Sequence, residues 1–106
     1  MPFLKLDALP EKEPMPGFQG RFVHSHNMTF AHWTIQAGAL LPVHAHPHEQ
    51  VVNIIEGKFE LTIAGETRVL GPGEVAIIPS HAVHSGRALT PCWIIDAFYP
   101  IREDYR

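Results

Sequence analysis

The stretch Gly38-Ala39-Leu40-Leu41-Pro42-Val43-His44-Ala45-His46-Pro47-His48-Glu49-Gln50 decides how this chain is read. Three of the chain's eight histidines fall between His44 and His48. The cluster sits mid-chain between strand-like segments, which excludes a purification tag. His44 and His46 are two residues apart, and on a strand residues i and i+2 project from one face. That spacing can bring two imidazoles onto one metal ion. Gln50 follows four residues after His46. His84 comes much later, where a returning strand could set it opposite the pair.

Outward from this stretch the chain reads as short strands with punctuation. Phe18–His26 and Met28–Gln36 are rich in aromatic and β-branched residues. Leu40–His46 carries Pro42, which marks an edge or bent strand. Val51–Ile55 ends at the turn Glu56-Gly57. Lys58–Ile63 alternates, with Phe59, Leu61 and Ile63 on one face and Lys58, Glu60 and Thr62 on the other. Thr67–Leu70, Glu74–Ile78 and Cys92–Phe98 complete the set, with Gly71-Pro72-Gly73 as a loop between the first two. No helical period lasts beyond about one turn. The expectation is an all-β sandwich or barrel over residues 18–106. Residues 1–17, with Pro2, Pro10, Pro14 and Pro16, read as an extended N-terminal arm. Phe3, Leu4 and Leu6 in that arm could add an edge strand to the sheet or to a neighbouring subunit.

Bulk properties narrow the function classes. A 106-residue chain that is 45% hydrophobic and 18% charged can bury one core. The net charge is −3 and the eight Lys and Arg residues are scattered, which argues against nucleic-acid binding. No apolar run is long enough to span a membrane, and the first residues lack an apolar block of signal-peptide type. Cys92 is the single cysteine, so no intrachain disulfide forms, and a cytoplasmic location is expected.

The punctuated histidine pattern resembles the cupin superfamily. Gly38-x5-His44-x-His46-x3-Gln50-x6-Gly57 is similar to the first cupin motif, with Gln where Glu is more usual. Gly73-x5-Pro79-x4-His84 is similar to the second, with His81 in place of an expected Gly and Ala88 in place of an Asn. The resemblance implies a double-stranded β-helix, or jelly roll, holding one divalent transition metal ion (Zn, Ni, Fe, Mn or Co) through His44, His46, Gln50 and His84. Glu49 is a rival for the carboxylate position, although 44, 46 and 50 share strand parity. His48 shares it too, and reads as a pocket-wall or surface residue. Three neutral imidazoles and a neutral amide would leave the ion's charge uncompensated, which favours a small anionic substrate.

The last strand carries a second signal. Asp96 lies within the apolar run Trp93–Phe98. An unpaired buried carboxylate is costly, so Asp96 calls for a cation such as Arg87 or Arg102, a proton, a strand-end exposure, or a place beside the metal. The pattern Asp96-x-Phe98-x-Pro100-x-Arg102 and the string His46-Pro47-His48-Glu49-Gln50 are similar to a subgroup of small cupins active in pectin and alginate breakdown. Those proteins convert 4,5-unsaturated uronates to linear keto sugars. The resemblance implies Asp96, Phe98 and Arg102 as catalytic residues, a sugar-acid substrate and a homodimer. Two other readings stay open: an Fe- or Mn-dependent dioxygenase, and a cupin that binds a small molecule without turnover.

Overall fold

The computed structural model describes residues 2–106. Ten strands carry the fold: β1 Lys12–Met15, β2 Phe18–His24, β3 Thr29–Ile35, β4 Leu40–His44, β5 Glu49–Glu56, β6 Phe59–Ile63, β7 Glu66–Leu70, β8 Val75–Ile78, β9 His84–Ala88 and β10 Cys92–Tyr99. They form two antiparallel sheets, a six-stranded one in the order β1-β2-β3-β10-β5-β8 and a four-stranded one in the order β4-β9-β6-β7. This is the expected jelly roll.

Period-two alternation builds the core. On β3, Thr29, Ala31, Trp33 and Ile35 point inward while Phe30 and Thr34 are exposed. On β10, Cys92, Ile94, Asp96 and Phe98 point inward. β6 contributes Phe59 and Leu61 from the opposite sheet. Trp33 packs edge-on against Phe18 and Phe22 at centroid distances of 5.7 and 5.4 Å, and Phe18 meets Phe59 edge-on at 6.4 Å. These edge-to-face contacts add to the burial of large apolar rings.

The N-terminal arm makes its sheet contact at Lys12–Met15, which pairs with β2. Leu6–Ala8 forms a turn of 3-10 helix, and Phe3 and Leu4 stay exposed. The apolar letters of the arm drew attention to the wrong residues; backbone pairing at an edge needs no apolar side chain. β9 carries no strand-like alternation in its residues His84-Ser85-Gly86-Arg87-Ala88, and only its neighbours β4 and β6 make it a strand.

Gly57 and His81 are among the residues with left-handed backbone. Gly57 has φ +88°, and a Cβ there would collide with the Pro91 carbonyl and lie 2.9 Å from Cys92 Sγ. Gly57→Ala is expected to cost about 2 kcal/mol or more, read as a lower urea midpoint at unchanged slope. His81, which occupies the position where the motif expects Gly, also has a positive φ of 65°. The backbone there keeps a conformation that glycine would adopt without strain.

Candidate metal centre

Sheet register brings the histidines together. His44 on β4 stands directly opposite His84 on β9, with ring centroids 4.1 Å apart. Pro42 is tolerated because β4 is an edge strand, and the pairing is irregular between Leu41 and His44. Such an irregularity re-aims the side chains beyond it. His46 follows just after the strand, its carbonyl accepting from the His81 amide at 2.8 Å. One ring nitrogen from each of His44, His46 and His84 lies within 4.8 Å of the other two.

The hydrogen bonds fix the tautomers. Nδ1 of His44 lies 2.7 Å from the Pro42 carbonyl, Nδ1 of His46 is 3.0 Å from the His48 carbonyl, and Nδ1 of His84 is 2.9 Å from the Ala82 carbonyl. A carbonyl only accepts, so each Nδ1 carries a proton, and in the neutral ring Nε2 then keeps its lone pair. His84 Nε2 is buried without a partner. Burial lowers the pKa of His46 to about 4, helped by the nearby Arg102 charge and His84, and burial also lowers that of His84. In their neutral form three imidazoles this close offer the donor set that a divalent transition ion requires.

Gln50 faces them from the other sheet. It is buried on β5, and its Oε1 is 3.2 Å from His46 Nε2. With Nδ1 of His46 protonated, these two atoms are both acceptors, and a cation between them and the other Nε2 atoms would relieve the repulsion. Glu49 is exposed on the other face of the strand. His48 is half-buried beside the cluster, its ring 5.4 Å from His46 and 6.5 Å from Phe98. His24 bonds Thr29 Oγ1 and the Tyr105 carbonyl, and His26 and His81 are exposed. His32 lies on the outer face of β3, with Trp33 and Ile35 filling the core from the inner one.

Asp96 points into the same interior. Its Oδ2 accepts from Trp33 Nε1–H at 3.0 Å, and its Oδ1 is buried without a partner. Burial pushes its pKa up to about 7, against the opposing influence of the Gln50 amide, the Trp33 N–H and the Arg102 charge. Neither arginine forms an ion pair with it: Arg87 reaches Glu60 at 3.8 Å, and Arg102 is paired with Asp104. Arg102 is itself buried, its guanidinium carbon 4.8 Å from the Phe98 ring centroid and 4.3 Å from that of Tyr105.

An inner cavity of about 30 Å³ touches His44, Gln50, Asp96, Phe98 and Arg102. That is room for an ion or a water, not for a sugar. Next to it, sharing His44, Arg102 and Tyr105, lies a vestibule of about 310 Å³ that also touches Pro14, Pro42 and Asp104. The second volume is at the lower end of small-molecule sites and admits a monosaccharide. Residue-type reasoning missed three supporting groups. Trp33 holds Asp96 through its indole N–H. Tyr105 stacks on Phe22 at 4.6 Å and covers Arg102. Asp104 clamps Arg102, and the spacing Arg102-x-Asp104 was its only signal.

Comparisons with known proteins agree with this geometry. The Cupin_2 family model, a cupin domain, matches residues 31–98. The pectin degradation protein KdgF of Dickeya dadantii (strain 3937) is 33% identical over 70 residues, an alignment covering 64% of this chain and 64% of that protein. The structure of KdgF from Halomonas sp. superimposes with a TM-score of 0.91 at 31% identity, over 98% of this chain and 99% of that one. An RmlC-like cupin from Shewanella frigidimarina NCIMB 400 gives a TM-score of 0.94 at 28% identity, over 100% and 96% of the two chains. No helix among the described residues is long and apolar enough to cross a membrane. With the family match spanning the histidine cluster, β5 and β10, the chain belongs to the cupin family.

Proposed function

We propose that the protein isomerises 4,5-unsaturated uronates, the products of pectin and alginate cleavage, to linear keto sugars. The observation that carries this reading is the placement of buried Asp96 and Arg102 on the same cavity as His44 and Gln50. The likeness to KdgF proteins supports it. A divalent transition ion held by Nε2 of His44, His46 and His84 and by Oε1 of Gln50 would supply Lewis acidity toward the sugar oxygens.

The protein's own groups divide the remaining work. Arg102 binds the uronate carboxylate through guanidinium hydrogens. Phe98 walls the inner cavity between Asp96 and Arg102. Asp96, poised near neutrality, can both accept and return a proton. In the reaction the bond from C1 to the ring oxygen breaks as the anomeric hydroxyl gives up its proton, leaving an aldehyde. The enol left at C5 becomes a ketone by taking a proton at C4. One proton leaves and one arrives, so no oxidant is needed. Incubating metal-loaded protein with unsaturated galacturonate should abolish the absorbance of the conjugated double bond. Unchanged absorbance would sink the proposal, and oxygen uptake with a diphenol or diketone would point to a dioxygenase instead.

We further place the protein in the cytoplasm as a homodimer. The buried free thiol of Cys92 suits a reducing compartment. Register aligns Val23, Phe30, Ala97, Val51 and Ile77 as one apolar row across five strands on the outer face of the six-stranded sheet. Phe30, Trp93, Val75 and Ile77 are exposed there. Four strands of seven or eight residues and two of four, at about 3.4 Å per residue and about 4.8 Å spacing, give the face roughly 600 Å², near the roughly 800 Å² per partner of a standard interface. Ile77→Glu should convert the dimer to monomer in light scattering; a wild-type protein that is monomeric at micromolar concentration would rule the dimer out.

A further inference from the structure

We propose that Asp104 is a positioning residue for anion recognition, gripping one edge of the Arg102 guanidinium so that the other edge meets a ligand carboxylate. The inference rests on Arg102 as the carboxylate-binding group. Arg102 Nε donates to Asp104 Oδ1 at 2.9 Å and Nη2 donates to Oδ2 at 2.7 Å, a parallel two-bond fork. The edge of the guanidinium that a carboxylate would most readily take is therefore already occupied from within the chain. The Asp104 fork does not use Nη1, and Arg102 lines both the inner cavity and the vestibule.

Several contacts make Asp104 a fixed clamp rather than a plug that the ligand displaces. The Arg102 side chain is only 10% exposed, so freeing it from Asp104 would strand a buried cation. Phe98 and Tyr105 both place their rings against the guanidinium. The backbone is held on both sides: the Arg102 amide donates to Thr29 Oγ1 at 2.9 Å, and the Tyr105 amide donates to the Arg102 carbonyl at 3.1 Å. Asp104 sits in the 3-10 turn Glu103–Tyr105 that this second bond closes. Its own carboxylate, half-exposed on the vestibule, is neutralised by the pair. A clamp of this kind lowers the entropy that Arg102 must lose on binding and sets the angle at which a carboxylate can approach.

The test is calorimetric binding of a saturated hexuronate, galacturonate, and of the uncharged sugar galactose, to the metal-loaded protein. Neither probe can undergo the isomerisation, so the result does not depend on turnover. Asp104→Asn should weaken galacturonate on the order of tenfold and leave galactose unchanged, because the amide keeps the shape but loses the charge-assisted fork. Asp104→Glu, which restores the carboxylate, should recover part of the loss. Thermal melting of each variant separates a loss of anion selectivity from a loss of fold, since unfolding would weaken both sugars together. Unchanged or tighter galacturonate binding by Asp104→Asn overturns the clamp, and tighter binding makes Asp104 a competitor instead. Arg102→Ala is the control: if it leaves galacturonate binding intact, the carboxylate role of Arg102 fails, and the clamp fails with it.

Discussion

Replacing Asp96 by Asn is expected to lower turnover of unsaturated uronate by about 10²–10⁴-fold, the usual range for removing a general acid–base group. It should also reshape stability in the metal-free protein. The Asp96 carboxyl titrates near 7 when folded and near 3.8 otherwise. Between those values the folded protein holds a proton that the unfolded chain has released, so this group's contribution to stability falls as pH rises from about 4 to 7. At about 1.36 kcal/mol per pKa unit the loss is about 4 kcal/mol. His46 works in the other direction. Its folded pKa is lowered to about 4 from 6.5, so its contribution is fully present above 6.5 and is lost as pH falls through 4. In the wild type the two slopes oppose each other and largely cancel between about pH 4 and 6.5. In Asp96→Asn the histidine slope is unmasked. Metal-free Asp96→Asn should therefore gain stability as pH rises over that range, and should exceed the wild type at pH 8. Urea melts of both proteins across the range check this, and parallel curves would show that Asp96 is not held protonated.

The second large effect is removal of the metal. A ligand at a hundredfold excess over its dissociation constant stabilises a fold by about 2.7 kcal/mol. For a domain of this size that corresponds to a melting shift on the order of 10 °C. Chelation should lower the melting temperature by that amount, and Zn or Ni should restore it. His84→Ala should abolish the response, because His84 Nε2 is a buried lone pair that only a cation or a water can satisfy. The response should fade as pH falls toward about 4, where a proton competes with the ion for His46. A metal response that survives His84→Ala would move the ion away from this cluster.

Much of this was legible in the residues. Pro42 predicts an edge strand, and β4 is one; His44 and His46 do come together, although β4 ends at His44 and His46 reaches the cluster from just beyond the strand. The alternation in Lys58–Ile63 predicts β6 and its buried face. Strand parity separates buried Gln50 from exposed Glu49. What stayed hidden depends on contacts between distant segments. Spacing alone could not place His84 opposite His44, because that pairing is set by the register of β4 against β9. The partner of Asp96 was sought among arginines, yet it is the indole of Trp33, sixty-three positions away in sequence. Arg102 stands in the sequence as a candidate cation for Asp96, whereas its guanidinium pairs with Asp104 two residues on.

The most direct test of the central claim is proton NMR of 4,5-unsaturated galacturonate in D₂O with metal-loaded protein. The account predicts loss of the vinyl C4 proton signal, appearance of a linear 5-keto product and a solvent deuteron at C4, all absent with Asp96→Asn or after chelation. A vinyl signal that persists unchanged with metal-loaded wild-type protein would contradict it.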